Sequence, residues 1–581
     1  MIVLILFFCM ICAWISYTLY GHQLVKGIYE HNSIKILNRV IQQNTEYPAE
    51  YYYVMADEIF YGYFAAFLLF TIFFLALKLF FTWEAADICI VSLSLTILLL
   101  SCSGIIIQIL CSPWSNWDAS RLAWTFSIRY GYSLYPLIGE GPMLSESYGP
   151  LAALVYLPLI FINASPTLVV ILASLISVCF YFLPLLWICL LSSRKFLFAL
   201  CIFAWFCLFT FNSRSLNSSA FSVHADAPAL GFSALACAIL YNRKLRNVTL
   251  LFSAIFSICA VWTKQSLMPI LFALPLWIFL SNNHKYAKRY IIYIILFGIL
   301  TLIFFSCIFA FQNLRFYMFT YPDRCPWQYG ANPAIALLKA SFNLLKDCFL
   351  LIIIASLLII LSLYRSRSYN NSAKNILKNW ICDNQWLMFL VISVLMVPTS
   401  LLGNVKAGGA ENTLSPAVYF IAAACALGLM KYIAFSLYPH NALTNKISIL
   451  SFILLLISLI FISIPTFRDK LPALLNLGNN YQEVAYKYAK KYPAEVYFPE
   501  APLASLLAEG KLYHFQFGIS DRELIGFPVS REHFRAYIPS NIRLVAFSRN
   551  YQSQYIMKYL PEFSKRVTIE ELPDWIIYAR K

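Results

Sequence analysis

Five short polar clusters interrupt a chain that is otherwise unusually apolar, and each holds side chains able to do chemistry. Trp117-Asp118-Ala119-Ser120-Arg121 sets a carboxylate among aromatic residues. Partial burial there would raise its pKa and suit it to take a proton, while the bland alternative is a polar helix end touching water. Ser145-Glu146-Ser147-Tyr148-Gly149-Pro150-Leu151 opens a short apolar segment, and its bland reading is a loop-to-helix junction with Pro at an early helical position. His224-Ala225-Asp226-Ala227-Pro228 places His and Asp two apart, able to bind a metal, orient a substrate hydroxyl or cap a helix. Thr263-Lys264-Gln265 offers a Lys to a phosphate, or a Lys snorkelling from a helix end. Lys406-Ala407-Gly408-Gly409-Ala410-Glu411-Asn412 pairs two glycines, which lets backbone N–H groups approach an anion but also serves a plain turn.

The elements that must position these clusters are membrane helices. Hydrophobic residues make up 61% of the 581 residues and charged residues 12%, against about 25% charged in soluble domains. Stretches 291–311 and 447–465 contain no Lys, Arg, His, Asp or Glu. About 20 apolar residues suffice to cross a bilayer as a helix, which satisfies its own backbone there. Spans are expected near 2–20, 59–81, 88–111, 166–191, 196–212, 224–241, 248–263, 266–281, 291–311, 344–364, 385–403, 413–433 and 447–465. The fold class is therefore a polytopic α-helical membrane protein with about 13 transmembrane helices. Residues 1–20 lack a charged start and a small-residue cleavage site, so they are expected to be an uncleaved first span.

Segment 148–162 is left off the span list, being short and holding Pro150 and Pro158. It reads as a juxtamembrane or re-entrant piece on the outer side. The basic connectors Arg194-Lys195, Arg243-Lys244-Arg246, Lys285-Lys288-Arg289 and 365–378 alternate so that all four can lie inside together. Loops 112–147, 213–223, 312–343 and 404–412 then face outward, with everything after Pro465. All five polar clusters fall on that outer face, as the lining of one cavity would.

From Thr466 charges become frequent. A helix is expected around Lys487–Lys491, with others at 502–509 and 552–560. Strands are expected at 495–498, 511–515, 542–547 and 575–578, giving a small C-terminal α/β soluble domain. The expected division is 1–85 for extra N-terminal spans and an outer loop, 86–465 for the membrane module that carries the polar clusters and 466–581 for the extracytoplasmic α/β domain. His514 and His533 are isolated there and read as structural.

The net charge of +16 is scattered through short loops rather than gathered in a patch, which excludes nucleic acid as a partner. Most of the 16 Cys lie in apolar runs, where free Cys acts as a small hydrophobe. No paired metal-ligand spacing is present.

The run from Asp118-Ala119-Ser120-Arg121-Leu122-Ala123 through Gly131-Tyr132-Ser133-Leu134-Tyr135-Pro136 to Tyr148-Gly149-Pro150-Leu151 resembles the first outer loop of GT-C glycosyltransferases. These include protein O-mannosyltransferases and lipid A aminoarabinose transferases. His224-Ala225-Asp226-Ala227-Pro228 looks like the second outer-loop acidic motif, and the Lys264 and Lys406–Asn412 clusters are similar to later outer-turn motifs of bacterial members. The resemblance covers about 86–465.

The resemblance implies a GT-C-like fold with outer juxtamembrane helices, matching 148–162. It implies an inverting transfer of sugar from a polyprenyl-phosphate donor to a glycolipid, glycan or protein acceptor on the outer side of a plasma membrane, of the bacterial inner-membrane type. Asp118 matches the position of the general base. Arg121, Tyr148, His224, Asp226, Lys264, Gln265, Lys406, Glu411 and Asn412 would bind donor or acceptor. Arg121, Lys264 and Lys406 would balance phosphate charge. Ala119 stands where many members carry a second acidic residue. A divalent cation is thus a possible cofactor only, with Asp118 and Asp226 as its carboxylates if any. The competing readings are a transporter or flippase of a lipid-linked saccharide, an oligosaccharide ligase, and a membrane scaffold. Transporters place ionisable residues or broken helices near the midplane, and neither is evident here.

Overall fold

The computed structural model describes residues 85–436 and 473–581, apart from 138, 194–195, 242–244, 282–283, 329–331, 370–378, 475, 549–553 and 574. The expected spans at 2–20, 59–81 and 447–465 lie outside the described residues, as do Arg194, Lys195, Arg243 and Lys244. The chain forms two compact units, Met1–Leu100 with Tyr432–Pro472, and Ser101–Lys431 with Ala473–Lys581. Of the first, the described residues are helical turns at 85–100 and 432–436. Every site below lies in the second.

Among the described residues, 6 helices are long and apolar enough to cross a membrane: Ser94–Trp114, Pro166–Ser192, His284–Phe309, Pro333–Leu363, Leu387–Asn404 and Glu411–Leu429. The pair Phe196–Asn212 and Arg214–Phe221 makes a seventh if counted as one span, though it bends by 102°. Loop 213–223 is therefore largely helical. Ser213 caps the second helix by accepting from Leu216 N–H at 3.2 Å. Asp347, on the Pro333–Tyr369 helix, accepts from Arg214 N–H at 2.9 Å and Ser215 N–H at 3.2 Å. A carboxylate on the free N–H groups of a helix start stabilises the new helix in its turned direction.

The expected spans at 224–241, 248–263 and 266–281 appear as shorter apolar helices, Asp226–Leu240, Asn247–Thr263 and Gln265–Leu280. Their bounds lie within two residues of those expected, His224 stays outside the first, and Lys264 sits in the turn expected between the other two. Segment 148–162 holds a single helical turn, Leu151–Leu154, and a 3-10 turn, Leu157–Phe161. Pro150 and Pro158 start the two turns, positions where a missing N–H costs nothing. Gly149 is required just before them, because a Cβ there would lie 1.9 Å from the Trp262 carbonyl oxygen.

Loop 112–147 contains the helix Asn116–Ser127, capped by Ser115. Its apolar face, Ala119, Leu122, Ala123 and Phe126, shares one core with Val169 and Val170 of a membrane helix and with Leu503 and Leu506 of the C-terminal region. Burial on both sides fixes the helix that carries Asp118 and Arg121.

The C-terminal region forms a four-stranded sheet in the order β1-β2-β4-β3, with β1 Val496–Tyr497, β2 Leu544–Ser548, β3 Lys565–Val567 and β4 Trp575–Ala579. Strands β1 and β2 run parallel, and the other pairs antiparallel. Helices Tyr481–Lys491 and Pro502–Glu509 form where expected, and of the expected 552–560 helix the described residues form Gln554–Met557. The expected strand at 511–515 is irregular instead. Its amides are engaged elsewhere: His514 N–H donates to Tyr537 O at 3.2 Å, and Phe515 N–H donates to Met143 O at 2.9 Å. Helices Gln516–Leu524 and Arg531–Ala536 were not foreseen. His514 and His533, isolated in sequence, have ring centres 5.6 Å apart and both bond the backbone of loop 141–143. Met143 N–H donates to His514 Nδ1 at 2.9 Å, and His533 Nε2 meets Gly141 O at 2.8 Å.

Candidate functional site

Three helix starts and one loop converge on Asp226. It opens the helix Asp226–Leu240 and is 1% exposed. Oδ1 is ion-paired with Lys264 Nζ, and Oδ2 contacts His224 Nδ1. The Asn412 amide donates to Oδ2 at 2.6 Å. His224 passes the network on, since its Nε2 meets the Tyr148 hydroxyl at 2.8 Å. Lys264 Nζ lies 5.7 Å from the centre of the Tyr148 ring. The second, third, fourth and fifth polar clusters thus meet through Tyr148, His224, Asp226, Lys264 and Asn412. Buried charge at this depth is stable only when paired and hydrogen-bonded, and here it is both.

Gln265 stitches the surrounding backbone, its Nε2 donating to Ser147 O at 3.0 Å and Met318 O at 2.9 Å. Its role is to hold loop to loop rather than to face a ligand with that amide.

Asp118 stands beside this network. Oδ1 accepts from Val223 N–H at 3.0 Å and lies 3.8 Å from Arg121 Nη1. Its side chain is 5% exposed and that of Arg121 24%. The Arg121 guanidinium sits 5.3 Å from the Trp117 ring centre, which holds it without neutralising it. Tyr156 links the two centres, donating to His224 O at 3.2 Å and meeting Ser177 Oγ at 2.8 Å. The 222–226 backbone is therefore clamped between Asp118 and Tyr156. The charge of Arg121 is felt at Glu146 and Tyr148, where it opposes the upward push of burial on both groups.

Two expected site residues lie apart. Lys406 donates to the carbonyls of Asp323 at 2.8 Å and Cys325 at 3.1 Å, and its Nζ lies 4.9 Å from the Trp327 ring centre. Glu411 pairs with Arg214 at 3.3 Å, on the surface. The two glycines form a turn. Gly408 has φ +84°, and a Cβ on Gly409 would lie 2.3 Å from Gly403 O. Lys264 is present at the site but committed to Asp226, which removes it as a spare cation for phosphate.

Sequence reasoning missed the part of Glu146, although it lies inside a cluster that was singled out. It is 7% exposed, and burial pushes its carboxyl up to about 8. Tyr156 was also missed, since a lone Tyr in an apolar run carries no signal. Among the described residues, no three His, Cys, Asp or Glu gather as a metal site would.

No family model and no curated protein matches the chain. Among solved structures it is similar to ArnT from Cupriavidus metallidurans bound to undecaprenyl phosphate, at TM-score 0.47 and 10% identity, over 83% of this chain and 97% of that one. It is also similar to the Archaeoglobus fulgidus oligosaccharyltransferase complex with Zn and sulfate, at TM-score 0.43 and 12% identity, over 77% of this chain and 68% of that one. A third likeness is to AglB of the same organism in complex with an inhibitory peptide and a dolichol-phosphate, at TM-score 0.37 and 11% identity, over 78% of this chain and 69% of that one.

Proposed function

We propose that the chain is a membrane glycosyltransferase that moves a sugar from a polyprenyl-phosphate-linked donor to an acceptor hydroxyl at the outer face of a plasma membrane. The observation that carries this reading is Asp118 beside Arg121: a carboxylate and a partly exposed cation on one buried-faced helix, next to a rigid polar network. About 13 spans and an extracytoplasmic C-terminal region complete the proposal.

In this mechanism Asp118 takes the proton of the acceptor hydroxyl. The hydroxyl oxygen attacks the anomeric carbon from the side opposite the phosphate, which inverts that centre. The bond between that carbon and the phosphate oxygen breaks, and its electron pair leaves with the lipid phosphate. Arg121 balances the charge that develops there. Tyr148, His224, Asp226, Lys264 and Asn412 act as a fixed wall that positions sugar or acceptor. No step is assigned to a divalent cation. The oxygens of Asp226 face an ammonium group, the His224 ring and an amide N–H, and Asp118 faces an N–H and a guanidinium, so the two cations and two N–H donors leave the carboxylates engaged by hydrogen-bond donors rather than open to a metal.

The test is transfer from radiolabelled undecaprenyl-phosphate sugars in proteoliposomes holding a membrane acceptor extract. Asp118→Asn should abolish transfer without loss of folded protein. Unchanged turnover in that variant, or translocation of the lipid-linked sugar with no transfer, overturns the proposal.

A further inference from the structure

Between loop 131–146 and the C-terminal region lies a cavity of about 60 Å³, separate from the Asp226 network. Its walls include Glu146, Arg522, Tyr317, Trp124, Ser133 and Leu512. Two of these are buried charged side chains. Glu146 is 7% exposed, and among the described residues no hydrogen bond reaches its carboxyl. Arg522 is 3% exposed; its Nη2 donates to the Tyr317 hydroxyl at 2.7 Å, and its Nε is without a partner. The rings of Phe316 and Tyr317 hold the guanidinium, with centres 4.9 and 5.0 Å away.

A buried guanidinium with an unpaired N–H costs stability that packing alone would not retain. The chemistry of the walls narrows what would repay it. The carboxyl presents acceptor oxygens and the guanidinium only donors, so a ligand that meets both must itself donate and accept. They suit a neutral group that both donates and accepts, which is what adjacent hydroxyls do. The faces of Trp124 and Tyr317 would cover the C–H side of the same group. Burial keeps the Glu146 carboxyl largely protonated at neutral pH, so it can both give and take a hydrogen bond. The volume is several times the roughly 10–15 Å³ that a cavity needs to hold one water, which is room for the hydroxyl-bearing edge of one ring.

We propose that this cavity is a subsite for a carbohydrate edge, in which Glu146 exchanges a hydrogen bond with one hydroxyl and Arg522 donates to its neighbour. The subsite rests on the glycosyltransferase reading only in taking that carbohydrate to be part of the acceptor. Arg522 comes from the helix Gln516–Leu524, so the C-terminal region supplies part of the acceptor's recognition. Ser145 hydrogen-bonds Asp521 beside it, and a Cβ on Gly518 would lie 2.3 Å from Met143 O, so that helix is seated directly on the loop that carries Glu146.

The experiment is saturation-transfer NMR on the full chain in lipid nanodiscs. The probes are methyl glycosides of glucose, mannose, galactose and N-acetylglucosamine, with inorganic phosphate and ethylammonium as charge probes. At least one glycoside should bind saturably. Glu146→Gln should weaken it about tenfold, the worth of one hydrogen bond to such a group. Ser133→Trp, at the exposed rim, should block it whether or not Glu146→Gln folds. No saturable glycoside, binding indifferent to Glu146→Gln and Ser133→Trp, or preference for phosphate or ethylammonium overturns the subsite. Unchanged transfer in Asp118→Asn overturns the function instead, so the two failures are distinct.

Discussion

The side-chain amide of Asn412 donates to Oδ2 of Asp226 at 2.6 Å, joining residues 186 apart in the chain. That bond closes a carboxylate already engaged by Lys264 and His224. Asp226→Leu would strand the buried Lys264 ammonium. Breaking one partner of a buried pair costs about 3–5 kcal/mol, whereas removing both often costs far less. Thermal unfolding in detergent should therefore show a large loss for Asp226→Leu and a recovery of most of it in the Asp226→Leu, Lys264→Met double variant. Equal losses in the two would show that the pair contributes nothing by itself.

Gly149 and Gly131 should respond differently to the same change. A methyl on Gly149 would meet the Trp262 backbone oxygen at 1.9 Å, and backbone cannot turn aside. Gly149→Ala should lose most folded protein, read as the monodisperse fraction on size exclusion. Gly131 has φ +80° with nothing within 4 Å of its Cβ position. Gly131→Ala should cost only the left-handed backbone, about 1–2 kcal/mol. Comparable yields for the two would refute the close approach of segment 148–162 to the Asn247–Thr263 helix.

Much of this arrangement was legible in the sequence, and the reasons for the rest are physical. Asp226, His224 and Lys264 stand out because an ionisable residue at a helix end in an apolar chain is costly unless used. The short turns at 148–162 were readable from Pro150 and Pro158. The turn at Lys264 and Gln265 between runs 248–263 and 266–281 was readable too, because the polar pair interrupts two apolar stretches. What the sequence hid were partners chosen by tertiary folding. Lys406 looks like Lys264 in a one-dimensional reading, yet the fold gives one a carboxylate and the other two backbone carbonyls. The irregular 511–515 segment has a strand's composition, but its amides donate to the Tyr132 hydroxyl, Tyr537 O and Met143 O rather than to a strand.

Glu146 sets a pH signature. Burial raises its carboxyl from 4.5 to about 8 in the folded chain. A raised acid favours the folded state while both states are protonated, so the benefit is complete below about pH 4.5 and is lost as pH climbs toward 8. Glu500, pushed up to about 7 by burial, acts in the same direction. His514 acts oppositely: burial lowers it to about 3, so its neutral form loses ground as pH falls below its ordinary range. Only a difference measurement isolates Glu146. The melting temperature of Glu146→Gln minus that of the parent should rise between pH 5 and 8 and level off above. A flat difference across that range would place the carboxyl in water.

Glu411 and Asn412 are neighbours in sequence with opposite expected consequences. Glu411 pairs with Arg214 in solvent, the two side chains being 59% and 73% exposed. Exposed pairs are screened and typically contribute under about 1 kcal/mol. Glu411→Ala should leave stability nearly unchanged and transfer within about twofold of the parent. Asn412→Ala removes a donor from the buried Asp226 carboxylate, and an unmade bond to a buried charged group costs about 1.5–3 kcal/mol. Transfer should fall by at least tenfold if the Asp226 wall positions substrate, since each 1.36 kcal/mol off the transition state is tenfold in rate. The pair of variants thus separates position on the outer turn from membership of the network. A loss of transfer on Glu411→Ala equal to that on Asn412→Ala would return Glu411 to the site and place the active surface above the turn, not beneath it.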